Sequence, residues 1–312
     1  MTETAAQLFA RLEARRCLKD IEPRLFPKDG GPNHGEVVEL FGPEGTGKTE
    51  VLYHLLSRCI LPVAAGGLEV DVVFVDTDYS LDMLRLVSIL DNKLNPALCG
   101  ASPPPASDQG TLHSCLSRLL VVHCSSSSQL LLTLHFLETT LSSRPGLALL
   151  LIDSVSAFYW LDRSEGGASV AKQEEKLSKC SELLGRLLRD YRITMFATCH
   201  AIRRSHAEPS SSSSSSSNAD RPFLCRSWQR LVTHRLIFSR REDSTNIEVP
   251  AGGSREPRRR QLFTVHCTSS CSSCSSCSSS SSSCSSSCSS SRPKMHSSSS
   301  FYITDGGLEF IS

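Results

Sequence analysis

Eight consecutive residues near the start of the chain, from Gly42 to Thr49, have the sequence Gly-Pro-Glu-Gly-Thr-Gly-Lys-Thr. The β-rich run 36–41 precedes them, and apolar residues recur at helical spacing over 51–60 until Pro62 stops the pattern. A strand, a glycine-rich turn and a helix start direct backbone N–H groups and the positive end of a helix at one point, which favours a polyphosphate. The segment therefore predicts a phosphate-binding loop on an α/β core, rather than a turn that merely joins two elements.

Two side chains of this loop and one distant carboxylate have predicted roles with a nucleotide and its metal ion. Lys48 is expected to reach the β- and γ-phosphates, and the Thr49 hydroxyl is expected to bind Mg²⁺. Asp153 ends an aliphatic run and is the expected companion acid, which holds the metal shell; capping of the following helix is its alternative role. The sequence thus predicts ATP and Mg²⁺ as cofactors, and the candidate binding residues are Gly42, Pro43, Glu44, Gly45, Thr46, Gly47, Lys48, Thr49 and Asp153.

Apolar runs alternate with helical patterns along most of the chain. Strands are predicted at 70–76, 119–122, 147–154 and 193–198, with amphipathic helices between them. This alternation indicates an α/β fold with a mostly parallel sheet and helices on both faces. In such sheets ligands bind at the carboxyl ends of the strands, where we expect Lys48, Asp76, Asp78 and Asp153 to gather.

Three shorter and more polar runs follow, at 231–238, 262–267 and 301–310. The last contains Asp305-Gly306, which is a hairpin signal. These runs predict an antiparallel C-terminal extension of the sheet.

Changes in composition divide the chain into an N-terminal arm and a core. Residues 1–34 form the arm: a loosely amphipathic helix over 5–22, then a Pro- and Gly-rich loop that leads into the core. The helix either packs on the core or docks a partner, and the core spans residues 35–312. Serine-rich inserts near 205–220 and 268–300 are predicted to be disordered, because they hold too little apolar surface to order themselves. The cysteines from Cys271 to Cys277 are spaced like zinc ligands, but only serines lie between them, which favours disorder over a metal site.

Charge and cysteine content exclude several function classes. The 312-residue chain has a formal net charge of +1, so any nucleic-acid contact must come from local arginine clusters. Its fourteen cysteines are expected to be free thiols in a reducing compartment, because no secretory signal is recognisable at the N-terminus. The aliphatic run 147–152 is too short to span a bilayer, so no membrane partner is expected.

Nucleotide hydrolysis requires one further carboxylate to orient or deprotonate the attacking water. Asp78 is the candidate catalytic residue, since Asp76-Thr77-Asp78 is expected to end the strand next to the one that leads into the phosphate loop. Aspartate is one methylene shorter than glutamate, and a positioning error of about 1 Å can cost on the order of a hundredfold in rate. We therefore expect slow turnover or none.

Four motifs, in this order along the chain, resemble the RecA-type strand-exchange recombinases and their eukaryotic paralogues: G-P-E-G-T-G-K-T, V-F-V-D-T-D, L-L-L-I-D-S and M-F-A-T-C-H. The resemblance implies a RecA-like ATPase core and a nuclear protein of homologous-recombination repair, acting on double-strand breaks and stalled forks. It also implies a complex of recombinase paralogues, including the D-type paralogue, that aids assembly of the recombinase filament on single-stranded DNA.

Departures from the recombinase pattern bear on activity. The family has a glutamate where Asp78 stands and a γ-phosphate-sensing glutamine where His200 stands, so the resemblance places His200 in the nucleotide site. A helical DNA-binding domain usually precedes the core, and residues 1–34 are too few to hold one. These departures favour a nucleotide-responsive subunit over a strand-exchange motor, and no lid or acceptor motif supports a small-molecule kinase.

Two segments match the DNA-facing loops of that family. The first, 158–168, is predicted to be irregular and carries Tyr159, Trp160 and Arg163; the second carries Arg203 and Arg204. Aromatic rings could stack on bases while arginines neutralise phosphates. The alternative is that Phe158 and Trp160 pack in the core or on a neighbouring subunit. A further arginine cluster is formed by Arg255 and residues 258–260. Three roles stay open for it: a nuclear-import signal, a phosphate contact or a solvated loop.

Overall fold

The computed structural model describes residues 4–6, 9, 13, 15–27, 30–95, 108–201, 224–242, 261–269 and 296–311. Several predicted features lie outside these ranges: Arg203, Arg204, the arginine cluster at 255–260 and the Cys271 to Cys277 tract. Within the described part of the chain, all cysteines are free and no helix combines the length and apolarity that a membrane crossing requires.

Nine strands form one sheet in the order β3-β2-β4-β5-β1-β6-β7-β8-β9. The first six are mutually parallel, and β7, β8 and β9 continue the sheet as antiparallel strands. The predicted mostly parallel sheet with an antiparallel C-terminal extension is confirmed. The strands are β1 Val37–Gly42, β2 Asp71–Asp76, β3 Leu119–His123, β4 Leu147–Asp153, β5 Thr194–His200, β6 His234–Glu242, β7 Gln261–Ser269, β8 His296–Thr304 and β9 Gly307–Phe310.

Helices cover both faces of this sheet and create two apolar cores. Leu52 and Leu86 belong to the core on one face, and Leu134, Leu184 and Trp228 to the core on the other. Because both faces are covered, β1, β2, β4 and β5 are almost continuously buried, as is typical of parallel strands. The helices are α1 Lys48–Ile60, α2 Met83–Leu94, α3 Asp108–Leu116, α4 Ser127–Ser143, α5 Tyr159–Glu165, α6 Val170–Tyr191 and α7 Arg226–Leu231.

The predicted strand at 231–238 is wrong in its start and in its direction. The short helix α7 occupies Arg226–Leu231 and buries Trp228 completely against α6 and β1. The strand that follows, β6, pairs parallel with β1, with Val38 opposite His234. The antiparallel extension therefore begins one strand later, at β7.

The N-terminal arm and the second serine-rich tract also differ from their predictions. Arg15 is no longer helical; it is buried and donates to the backbone of Leu141 and Leu147, while Leu18 and Ile21 pack in the core. The helix predicted to reach residue 22 is thus too long, because this segment packs on the core in an irregular form. Residues 297–300, predicted to be disordered, lie in β8, because strand pairing uses the backbone and tolerates serine.

Glu22 fixes the arm to α1. Its buried carboxylate accepts two hydrogen bonds from Arg24 at 2.7 Å and lies 2.6 Å from His54 Nε2. Burial alone would raise the pKa of Glu22, but these partners lower it from near 4.5 to about 2. A carboxyl group whose pKa is lowered in the folded state stabilises the fold at pH values above its pKa in the unfolded state. This stabilisation is lost as the pH falls through the pKa of the folded state.

We expect Glu22→Gln to cost about 3 kcal/mol of unfolding free energy at neutral pH. Because the wild-type carboxylate becomes protonated in acid, the two proteins are expected to converge between about pH 4.5 and 2. Urea unfolding of both proteins across this range measures the difference. A difference that stays constant down to the lowest pH would show that the Glu22 charge does not stabilise the fold.

Candidate nucleotide-binding site

The phosphate loop joins β1 to α1 and depends on glycine at defined positions. Gly45 and Gly47 have φ values of 69° and 85°, a conformation that other residues rarely adopt. A Cβ at Gly47 would also lie 3.3 Å from Phe263 and Ile303, and one at Gly42 only 2.8 Å from the carbonyl of Phe238. The antiparallel extension therefore packs directly against the loop at Gly47, and β6 packs against Gly42. Larger residues at these two positions would displace the strands that contact them.

Lys48 lies in the first turn of α1 with its side chain almost fully buried. Its Nζ donates to the carbonyls of Gly42 at 2.9 Å and Pro43 at 2.7 Å. Burial lowers the pKa of Lys48, against the opposing charges of Asp153 and other nearby groups. A buried ammonium whose hydrogen bonds go to two neutral carbonyls fits a site that accepts an anion.

Asp153 ends β4 and faces the start of α1. The Thr49 hydroxyl donates to its Oδ2 at 2.8 Å, and the Ser80 hydroxyl donates to the same oxygen at 3.0 Å. Thr198, on β5, donates to the other carboxylate oxygen. Oxygen ligands of this kind suit Mg²⁺, so the predicted Thr49 and Asp153 pair fits the ion. Ser80 and Thr198 were not predicted, since a hydroxyl near a strand end carries no motif.

Asp78 and His200 contact each other across the site. His200 Nε2 lies 3.2 Å from Asp78 Oδ2, and the His200 backbone N–H donates to Ser156 Oγ at 2.9 Å. Burial would raise the pKa of Asp78, but the hydrogen bonds from His200 and Ser154 hold it below its ordinary value. The Asp78 carboxylate, which is predicted to activate water, therefore contacts the His200 imidazole instead.

Asp78 lies in the turn after β2, which ends at Asp76, and β2 is not where the sequence placed it. β4 and β5 separate β2 from β1, so the prediction that β2 is next to the strand leading into the loop is wrong. Asp78 still reaches the site because β2 pairs with β4 and brings Asp76 level with Asp153. Asp76 itself accepts from the backbone of Ser80 and Leu81, and so shapes the turn after β2.

These groups line one open cleft of about 500 Å³ at the carboxyl ends of the parallel strands. The backbone carbonyls of Gly42 and Pro43 lie outside this lining and accept hydrogen bonds from Lys48. The cleft is large enough for a nucleotide, given that small-molecule sites occupy about 300–1,000 Å³. Its lining consists of Glu44, Gly45, Thr46, Gly47, Lys48, Thr49, Glu50, Asp78, Ser80, Asp153 and His200.

The first predicted DNA-facing segment, 158–168, is mostly helical: residues 159–165 form α5, and only 158 and 166–168 are irregular. Trp160 is 60% exposed, whereas Phe158 is buried and packs in the core. Arg163 donates to the Tyr159 hydroxyl at 2.7 Å and lies within 6 Å of both ring centres. Tyr159, Trp160 and Arg163 thus form one cluster on α5, while Arg203 and Arg204 lie outside the described residues.

Comparisons with known proteins place this site in a family. The profile of the Rad51 family matches residues 25–99, which include the phosphate loop, α1 and Asp78. Mouse DNA repair protein XRCC2 is 49% identical over 248 residues, covering 78% of this chain and 86% of the mouse protein. The chain belongs to the XRCC2 family. This confirms the resemblance to recombinase paralogues and the RecA-like fold.

More distant relatives share the same region. An Arabidopsis thaliana DNA repair protein XRCC2 homolog is 27% identical over 303 residues, covering 79% of each chain. Saccharomyces cerevisiae DNA repair protein RAD51 is 28% identical over 203 residues, covering 64% of this chain and 46% of the yeast protein. This chain is thus similar to a part, just under half, of the yeast DNA repair protein.

Proposed function

We propose that this chain is an ATP-binding subunit of a recombinase-paralogue complex that promotes homologous-recombination repair of double-strand breaks and stalled forks. It acts by aiding recombinase filament assembly on single-stranded DNA. The convergence of Lys48, Thr49 and Asp153 in one cleft carries the nucleotide part of this proposal. Membership in the XRCC2 family, whose mouse and plant members are named as DNA repair proteins, supports the repair part.

Different residues of the cleft would hold ATP and Mg²⁺. The N–H groups from Gly45 to Thr49 and the N-terminus of α1 face the phosphates, and Lys48 exchanges its carbonyl partners for phosphate oxygens. Thr49 would bind Mg²⁺ and Asp153 would hold the metal shell, with the Asp153 carboxylate kept in place by Ser80 and Thr198. Mg²⁺ held there would supply neutralisation of the phosphate charge.

Hydrolysis is weak or absent in this proposal. The Asp78 side chain is one methylene shorter than the glutamate of the active recombinases. Its carboxylate also contacts His200, which keeps it away from an attacking water. The alternative function, an active DNA-dependent ATPase or strand-exchange motor, requires that pair to separate and Asp78 to reach water.

ATP turnover separates these two functions. We expect the purified chain with its D-type partner to turn over far more slowly than about 1 s⁻¹, with or without single-stranded DNA. Asp78→Glu combined with His200→Gln is expected to raise the rate at least tenfold, since the longer carboxylate is then free to orient water. Wild-type turnover in the ordinary enzyme range, stimulated by DNA, would establish the motor instead.

Partners and location follow from the same proposal. The chain joins the D-type recombinase paralogue and further paralogues, works in the nucleus, and contacts single-stranded or branched DNA. Tyr159, Trp160 and Arg163 supply one DNA contact, where the exposed Trp160 ring stacks on a base and Arg163 reaches a phosphate. Arg203 and Arg204 supply the second.

A further inference from the structure

Tyr53 lies one helical turn after Thr49 on α1, on the same face of the helix. Its side chain is almost fully buried, and its hydroxyl reaches the turn that follows β2. The hydroxyl donates to the carbonyl of Ser80 at 3.1 Å and accepts from the backbone N–H of Asp82 at 2.6 Å. One side chain of α1 thus holds both ends of the segment 80–82.

The Tyr53 hydroxyl keeps its proton in this position. Burial raises the pKa of Tyr53 to about 12, so the phenol stays a donor to Ser80 and an acceptor for Asp82 at neutral pH. A phenylalanine at position 53 would keep the packing of the ring but would remove both hydrogen bonds. The carbonyl of Ser80 and the N–H of Asp82 would then lose a partner that they have in the folded chain.

The turn that Tyr53 holds brings two side chains to the nucleotide cleft. Ser80 Oγ donates to Asp153 Oδ2 at 3.0 Å, and the Thr49 hydroxyl donates to the same oxygen at 2.8 Å. Asp78 also lines the cleft, two residues before Ser80. The surroundings of the Asp153 carboxylate therefore depend on a turn whose backbone is fastened to α1.

The other hydrogen bonds of this turn lead to the sheet. The N–H groups of residues 77–78 donate to the carbonyl of Asp153 on β4, and those of residues 80–81 donate to the carboxylate of Asp76 on β2. By contrast, the Tyr53 hydroxyl joins the turn to the helix that begins at the phosphate loop. It therefore sets how the turn lies relative to the start of α1.

We propose that Tyr53 is a positioning residue for the metal half of the nucleotide site, formed by Thr49, Ser80 and Asp153. This inference rests on the proposed binding of ATP and Mg²⁺. By fixing the turn against α1, the Tyr53 hydroxyl keeps Ser80 in contact with Asp153. That contact holds the carboxylate next to Thr49, where the two residues would share the metal shell.

The role separates metal binding from phosphate binding. Lys48 bonds to carbonyls of the loop, whereas Tyr53 bonds to the turn after β2. Loss of the Tyr53 hydroxyl is therefore expected to reduce the gain in ATP affinity that Mg²⁺ gives, and to leave the affinity for metal-free ATP unchanged. A merely structural tyrosine would affect both affinities alike, through loss of folded protein.

ATP binding in Mg²⁺ and in EDTA tests this role. The full chain and its Tyr53→Phe variant are titrated with ATP under both conditions, and the two dissociation constants are compared for each protein. We expect the factor by which Mg²⁺ tightens binding to fall roughly tenfold in the variant, which is the effect of one hydrogen bond. The affinity in EDTA is expected to stay within about twofold of the wild type.

Tyr191→Phe is the matched control. Tyr191 is also a buried tyrosine, and its hydroxyl lies 2.9 Å from Ser142 Oγ, a contact between α4 and the last turn of α6. Its loss should leave the effect of Mg²⁺ unchanged. Because Tyr53 acts through Ser80, we also expect Tyr53→Phe to add little to the effect of Ser80→Ala in the double variant. Full additivity, or an equal fall in Tyr191→Phe, would overturn the role.

Hydrogen exchange of the nucleotide-free protein tests the contact without ATP. The amide of Asp82 is expected to exchange at least roughly tenfold faster in Tyr53→Phe than in Tyr191→Phe, since the Tyr53 hydroxyl is its acceptor. A wild-type chain that does not bind ATP would remove the proposed function and this role together. A wild-type chain that binds ATP with Mg²⁺, alongside a Tyr53→Phe variant with the same response to Mg²⁺, would refute the role of Tyr53 alone.

Discussion

Lys48→Ala is expected to weaken ATP binding on the order of 100-fold. The Lys48 ammonium is buried at the loop and is bonded to two carbonyls, from which it can move to phosphate oxygens. Charge-assisted hydrogen bonds contribute roughly 1.5–3 kcal/mol, and 1.4 kcal/mol corresponds to tenfold in affinity. Isothermal titration of the wild type and the variant with ATP and Mg²⁺ measures the loss.

The same variant distinguishes a nucleotide-responsive subunit from one whose assembly requires nucleotide. We expect Lys48→Ala to retain the D-type partner in a pull-down, since Lys48 lies within the cleft of this chain. Lys176→Ala is a suitable control because Lys176 is a surface lysine paired with Glu165. Complete loss of the partner with Lys48→Ala alone would show that nucleotide holds the interface together.

Glu39→Ala is expected to cause the largest loss of stability, about 3–5 kcal/mol. Glu39 is fully buried on β1, accepts from Trp228 Nε1 at 2.7 Å, and pairs with Arg235 on β6. Its removal leaves a partly buried guanidinium and a buried indole N–H without their acceptor. Chemical denaturation of the variant and the wild type measures the difference.

The control for Glu39 is a glutamate in an exposed ion pair. Glu138→Ala removes the surface partner of Arg186, a contact of 3.7 Å, and is expected to cost less than about 1 kcal/mol. Equal and small losses in both variants would mean that the buried Glu39 network does not hold β1, β6 and α7 together.

The sequence predicted those parts of the fold that depend on contiguous patterns. The phosphate loop, α1 and Asp153 were found because each is a local motif or ends a long apolar run. Helices α5 and α7 were missed because six or seven residues are too few to show a helical period. Trp228 marks α7 as a core element only after its contact with Glu39, 189 positions away, is known.

Contacts across the sheet account for what the sequence could not predict in the site. Ser80 and Thr198 meet at Asp153 because β2 and β5 flank β4, and strand order is not encoded in local spacing. The departures at Asp78 and His200 were each visible, but their mutual contact spans 122 positions. That contact joins the turn after β2 to the end of β5, on either side of β4, and it changes the chemistry that either residue can perform.

Retention of intact ATP by the chain tests the central claim most directly. The wild-type protein is incubated with radiolabelled ATP and Mg²⁺, separated from free nucleotide, and the bound fraction is analysed for ATP and ADP. We expect about one nucleotide per chain, most of it still triphosphate, and little retention by Lys48→Ala or without Mg²⁺. No retained nucleotide, or rapid conversion to ADP, would contradict a triphosphate site with weakened hydrolysis.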